Sequence, residues 1–243
     1  MNREIRGITW AFLAVIFHCS AANAGPWTKK LGEGYFKVGQ SVYSADGYSS
    51  GGDYFGGRYL GFTTSLYSEL GLPFGLQGVA SLPFVIGTST KVAGSATSTG
   101  QVIPAGQYRK ISLGDILVGL QYGLPTDTPL ALRLDLKIPG YSVPATTGLA
   151  EAFPGAGDGQ VDATLWGSAG GSFGDVYAYV ETGFRYRSPG GVASDTSEQG
   201  RVYAHGFVGF AQVGYLLVQG FYVNAYSQWV WDGSADAITK RYV

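Results

Sequence analysis

Arg133, Asp135 and Lys137 occupy alternate positions of LALRLDLKIP, residues 130–139, and their spacing is the most chemically pointed feature of the chain. Successive side chains of a strand face opposite sides. These three charges therefore project from one face, while Leu130, Leu132, Leu134, Leu136 and Ile138 cover the other. The same alternation adds Asp115 on the preceding strand, Asp162 on the next, and Glu181, Arg185 and Arg187 on the one after. Neighbouring strands lie ~4.8 Å apart, so facing side chains of opposite sign can pair. Such a set either lines a wet constriction that screens solutes by charge and size or fills a narrow barrel with an ion network. Catalysis has one candidate, His205, which would need a serine nucleophile beside it. Its neighbours Gly206 and Phe207 carry no hydroxyl, leaving Ser188 and other loop serines. Asp158 and Asp175 sit in turn sequences without the clustered acidic spacing of a calcium loop. The other histidine, His18, and the only cysteine, Cys19, lie in the first 24 residues, so neither a metal site nor a cofactor is expected.

An element that carries large aliphatics on one face and charges on the other needs an apolar surrounding outside and water within. A membrane-barrel strand meets both conditions, with lipid outside and a polar lumen inside. The rest of the chain repeats the pattern. Strands are expected over 34–43, 59–70, 76–86, 114–124, 130–139, 160–172, 176–187, 204–215 and 221–231. Long polar connections, 44–57, 87–110, 140–159 and 188–200, alternate with tight ones, 71–75, 125–129, 173–175 and 216–220. Outer-membrane barrels show such alternation, with short periplasmic turns and long extracellular loops. A soluble sandwich also uses short strands, but its outer faces should be polar. Trp27, Tyr43, Tyr59, Tyr186, Tyr203, Trp229 and Trp231 gather near strand ends, where interfacial girdles belong. On this reading Leu134→Arg is costly, whereas Arg133→Leu, pointing into the lumen, leaves folding nearly intact.

The first residues agree with export. Arg3 and Arg6, the apolar run 8–17 and Ala22-Asn23-Ala24 before Gly25 have the form of a secretory signal peptide, residues 1–24. His18 stands where a lipobox needs a small residue, so lipidation at Cys19 is not expected. No later apolar run approaches the ~20 residues of a spanning helix. With 16 basic against 17 acidic residues, the chain carries no nucleic-acid signature.

The stretches WTKKLGEGYFKVGQSVY, SLYSELGLPFGLQGVASLPFV, LGDILVGLQYGL, GAGDGQVDATLWGSAGGSF and VETGFRYRS resemble the outer-membrane barrels of the meta-pathway of phenol degradation, which lie near the hydrophobic-substrate channels. The resemblance covers most of residues 25–243. It implies a transporter or channel for small, aromatic or hydrophobic solutes, and it brings no catalytic residues. One departure is the end, Ile238-Thr239-Lys240-Arg241-Tyr242-Val243, which is too short for a membrane strand and lacks a final aromatic. Nine full strands are an odd count where bacterial barrels are even, so either these last residues make a stunted tenth strand or, the favoured expectation, the sequence is clipped before its closing strand.

The expectation is thus an all-β antiparallel transmembrane barrel of about 10–12 strands in a Gram-negative outer membrane, acting as a pore or uptake channel. Asp115, Arg133, Asp135, Lys137, Asp162, Glu181, Arg185 and Arg187 would line its lumen. Its partners would be outer-membrane lipid, a small solute and the barrel-assembly machinery, with the oligomeric state open. The alternatives are a lipid-modifying barrel enzyme using His205 and a non-conducting anchor or adhesin.

Overall fold

The computed structural model describes residues 25–50, 53–93, 95, 100, 102–141, 152–157, 159–188, 204–218 and 221–232. Residues 1–24, where a signal peptide is expected, the final residues 238–243 and most of the connections 140–159 and 188–200 lie outside them. Among the described residues there are ten strands: β1 (Gly34–Ser50), β2 (Asp53–Gly71), β3 (Leu76–Lys91), β4 (Gly106–Leu113), β5 (Asp115–Gly123), β6 (Leu130–Pro139), β7 (Asp162–Phe173), β8 (Val176–Arg187), β9 (Gly206–Val218) and β10 (Phe221–Asp232). A 3₁₀ turn, Pro73–Gly75, joins β2 to β3.

All pairings are antiparallel, and the strands form one sheet in the order β1-β2-β3-β5-β6-β7-β8-β9-β10, with β4 on β3. β4 and β5 are two parts of one span. β4 pairs with the far half of β3, β5 pairs with its near half, and Gly114 joins them by donating its N–H to the Pro83 carbonyl at 2.8 Å. The sheet curls into a half-barrel that is not closed. Among the described residues no pairing joins β1 to β10.

Of the connections expected to be long, 44–57 is largely strand and 87–110 is shortened by strand at both ends. The first hairpin runs on to Ser50 and resumes at Asp53, and β3 and β4 extend over Lys91 and Gly106, shortening 87–110 to 92–105. Polar, glycine-rich composition suggested loops there, but a backbone ladder pairs these strands whatever their side chains are. The tight turns near 71–75, 125–129 and 173–175 are where sequence put them, while β9 runs on to Val218 and residues 219 and 220 lie outside the described residues. Between β2 and β3, Phe74 takes φ 63° ahead of Gly75 at φ 73°, and Gly174 at φ 57° turns β7 into β8.

Polarity across the sheet is inverted relative to a soluble protein. Along β6, Leu132, Leu134, Leu136 and Ile138 are exposed, while Ala131 and Asp135 are buried. Register extends this face. Leu120, Leu134, Leu165, Phe184, Phe207 and Trp231 lie side by side across β5 to β10, and each is 44–62 % exposed. The convex face therefore carries a continuous apolar belt across β5 to β10, the kind of exposed patch that marks a membrane or interaction surface.

Candidate functional site

The concave face carries the charges, and the register sorts them into two clusters. In the first, Arg133 of β6 is the hub. Its Nε donates to Asp135 Oδ2 at 3.0 Å, and Nη1 and Nη2 donate to Glu181 Oε1 and Oε2 at 3.0 and 3.3 Å. The guanidinium reaches Glu181 over β7, passing Trp166, whose ring centroid is 5.5 Å from Cζ. This planar fork satisfies both carboxylate oxygens of Glu181 at once. The second cluster lies toward the long-connection end. Lys137 Nζ is 2.8 Å from Asp162 Oδ2 and 3.7 Å from Asp115 Oδ2, and Arg187 Nε donates to Asp162 Oδ1 at 3.2 Å. Tyr141 donates to Asp115 Oδ1 at 3.0 Å and accepts the Gly159 N–H at 2.8 Å, tying the two ends of the 140–159 connection to this cluster.

All eight residues expected on the inner face are on it. Seven fall into the two clusters, and Arg185 stands opposite Thr164, between Glu181 and Arg187 along β8. Inward parity was legible in the sequence. Each partner depends on hairpin register and was not.

A third feature was not foreseen. Residues 25–33 do not extend the wall but cross the concave face at its tight-turn end as a strap. Two glutamines, Gln77 and Gln121, each 1 % exposed, hold its backbone. Gln77 Oε1 accepts the Lys29 N–H at 2.8 Å, and Gln121 Nε2 donates to the Gly25 carbonyl at 3.0 Å. At the wall, Gly32 N donates to Gly71 O at 3.1 Å and Gly71 N to Glu33 O at 2.8 Å. A Cβ on Gly71 would collide with the Lys30 carbonyl, so only glycine lets the strap lie this close. Lys29 Nζ is 3.9 Å from Glu69 Oε2, and Tyr67 donates to Glu69 Oε1 at 2.7 Å. The inward parity of Tyr67, Glu69 and Gln121 was readable, but nothing in residues 25–33 has a period that would reveal the docking.

Trp27 thereby departs from the expected girdle. Its ring packs edge-on against Tyr177 and Tyr179, at 6.3 and 6.1 Å, on the concave face. Tyr43 and Tyr59 lean on each other at 5.8 Å and also follow the inward parity of their strands, unlike Tyr186, Trp229 and Trp231, which face outward. Tyr203 lies outside the described residues. Between the strap and the Arg133 cluster remains a cavity of about 290 Å³, lined by Gly25, Tyr67, Val79, Leu117, Tyr179 and Phe210 besides Arg133, Asp135 and Glu181.

His205 is engaged by structure of its own. Nδ1 accepts the Arg187 backbone N–H at 3.1 Å, and the ring stacks on Tyr186 at 4.6 Å. Among the described residues no group of three or more His, Cys, Asp and Glu is arranged to hold a metal ion.

The architecture defines an all-β, antiparallel half-barrel with a charged concave face and an apolar convex one. A scan against protein-family models and a search of curated proteins found no match to the chain.

Proposed function

We propose that this chain is an outer-membrane β-barrel that passes small solutes through its lumen. The observation that carries the proposal is the inverted polarity. A belt of Leu, Phe and Trp side chains faces outward across β5 to β10, while the ion clusters of Arg133 and Lys137 face inward. Exposed leucines are stable only against lipid, and buried charges only with counter-charges or water. The spans also have the right length. β6, β7, β8 and β10 contain 10–12 residues, and a tilted membrane strand needs about 9–11.

On this reading residues 1–24 direct export and are removed, the barrel-assembly machinery inserts the chain, and the tight turns face the periplasm. Arg133, Asp135, Glu181, Asp115, Lys137, Asp162, Arg185 and Arg187 set selectivity, and the closed barrel has 10–12 strands. The resemblance to the phenol meta-pathway barrels favours small aromatic or hydrophobic solutes. The second reading, a non-conducting anchor, is favoured by the strap, which occupies the concave face at the tight-turn end. The enzyme reading would rest on His205, whose Nδ1 is already occupied by a backbone N–H.

Planar-bilayer conductance of the purified protein tests the proposal. A pore conducts, and exchanging Arg133 and Arg185 for Gln shifts its ion selectivity while His205→Ala does not. Silence of the wild type and both variants rejects the pore in favour of the anchor. Lipid hydrolysis that disappears only in His205→Ala rejects both.

A further inference from the structure

Gly25 is buried and lines the same cavity as Arg133, Asp135 and Glu181. Its φ is +105°, and a Cβ there would stand 2.9–3.1 Å from the Tyr179 ring atoms, so the position accepts only glycine. The cavity's own lining holds two carboxylates against one guanidinium. Arg133 covers three of their four oxygens. The fourth, Asp135 Oδ1, is buried on a residue only 5 % exposed, makes no hydrogen bond of good geometry, and has the Trp166 indole N–H as its neighbouring donor. The nearby Lys29 is paired with Glu69.

We propose that the α-ammonium of Gly25, released when residues 1–24 are cut away, is the missing cation of this cavity and docks on Asp135, so that export processing locks the strap across the lumen. The proposal rests on the signal-peptide reading above. Hydrolysis of the Ala24–Gly25 amide leaves a carboxylate on the departing segment and an amine on Gly25, which is protonated at neutral pH. A buried ammonium requires a charged acceptor, and Asp135 Oδ1 is one held in place by the Arg133 Nε contact to Oδ2. Before cleavage the same nitrogen is an uncharged amide, so the lock exists only in the processed chain.

The test uses the full gene expressed in a Gram-negative host, with the protein purified from the outer membrane. Mass spectrometry should find Gly25 as the first residue, and a different start overturns the proposal. The readout of docking is tryptic cleavage after the exposed Lys30, which does not depend on whether the barrel conducts. Three variants are compared with wild type: one extra alanine inserted after Ala24, Asp135→Asn, and both together. The insertion moves the amine ~3.8 Å along the chain and leaves the wall untouched, so it stays informative even where Asp135→Asn fails to fold. Each change should speed cleavage at least about tenfold, what one charge-assisted hydrogen bond contributes, and the combination should be no faster than either alone. Wild-type rates in the insertion variant overturn the proposal. So do additive effects, which would give Oδ1 to the Trp166 indole N–H, its neighbouring buried donor.

Discussion

Arg133→Met is the perturbation whose outcome depends most on how the concave face is built. Parity alone says that the side chain points into the lumen and that its loss is harmless. The partners say otherwise. The Arg133, Asp135 and Glu181 side chains are 14 %, 7 % and 8 % exposed, so water from the adjoining cavity replaces the guanidinium only in part when it is removed. At 3.0 Å from both Asp135 and Glu181, the guanidinium holds two carboxylates that the variant leaves facing each other. Removing one partner of a buried ion pair costs about 3–5 kcal/mol. That is as much as Leu134→Arg on the outer face, about 2–4 kcal/mol near a bilayer midplane. Equal losses would therefore leave the faces undecided, and rescue decides them. Replacing Asp135 by Asn and Glu181 by Gln in the Arg133→Met background removes the stranded charges, and the triple variant should regain more than half of the loss. Leu134→Arg should gain nothing from either change. The assay is reversible urea unfolding in lipid vesicles, followed by tryptophan fluorescence. A triple variant as unstable as Arg133→Met, or an Arg133→Met protein as stable as wild type, would refute the network as the source of the energy.

Other expectations follow from the same geometry. Gly71→Ala drives a methyl group into the Lys30 carbonyl and should release the strap at the tight-turn end, raising single-channel conductance without moving the urea midpoint by more than about 1 kcal/mol, since the wall ladder is untouched. Cysteines at Thr97, Thr147 and Ser194 should react with an impermeant maleimide on intact cells, while one at Asp127 should not; equal labelling of all four contradicts the orientation. Asp162→Asn weakens both Lys137 and Arg187 contacts at once and should destabilise more than Asp115→Asn, whose Lys137 contact is the longer at 3.7 Å, and urea midpoints of the two variants rank them.

The parts of this structure that were legible in the sequence are those fixed by a local rule. A period of two assigns every residue of β6 to a face without reference to any other strand, which is why Leu134 and Asp135 could be placed at once. Partners obey no local rule. Arg133 lies opposite Trp166 and meets Glu181 48 positions away, because the lengths of two hairpin connections set how β7 and β8 slide past β6. The end of the β1–β2 hairpin was expected as a loop because glycines, serines and aspartates dominate its sequence. Composition registers burial, whereas a ladder of backbone hydrogen bonds has no composition.

The strap escaped notice for a related reason. Its anchors, Gln77 and Gln121, are placed inward by parity, like many polar side chains of a lumen wall. What separates them is that both amides are fully buried, and a buried amide must find a partner. The partners are backbone groups of Lys29 and Gly25, roughly 50 and 100 positions earlier. A glutamine pair standing inward at the tight-turn end, Gln77 opposite Gln121 on β3 and β5, is therefore a signal that could have been used. Two long amides side by side, in a face otherwise served by charges, call for a segment of uncommitted backbone. Among the described residues before the first strand, residues 25–33 are such a segment.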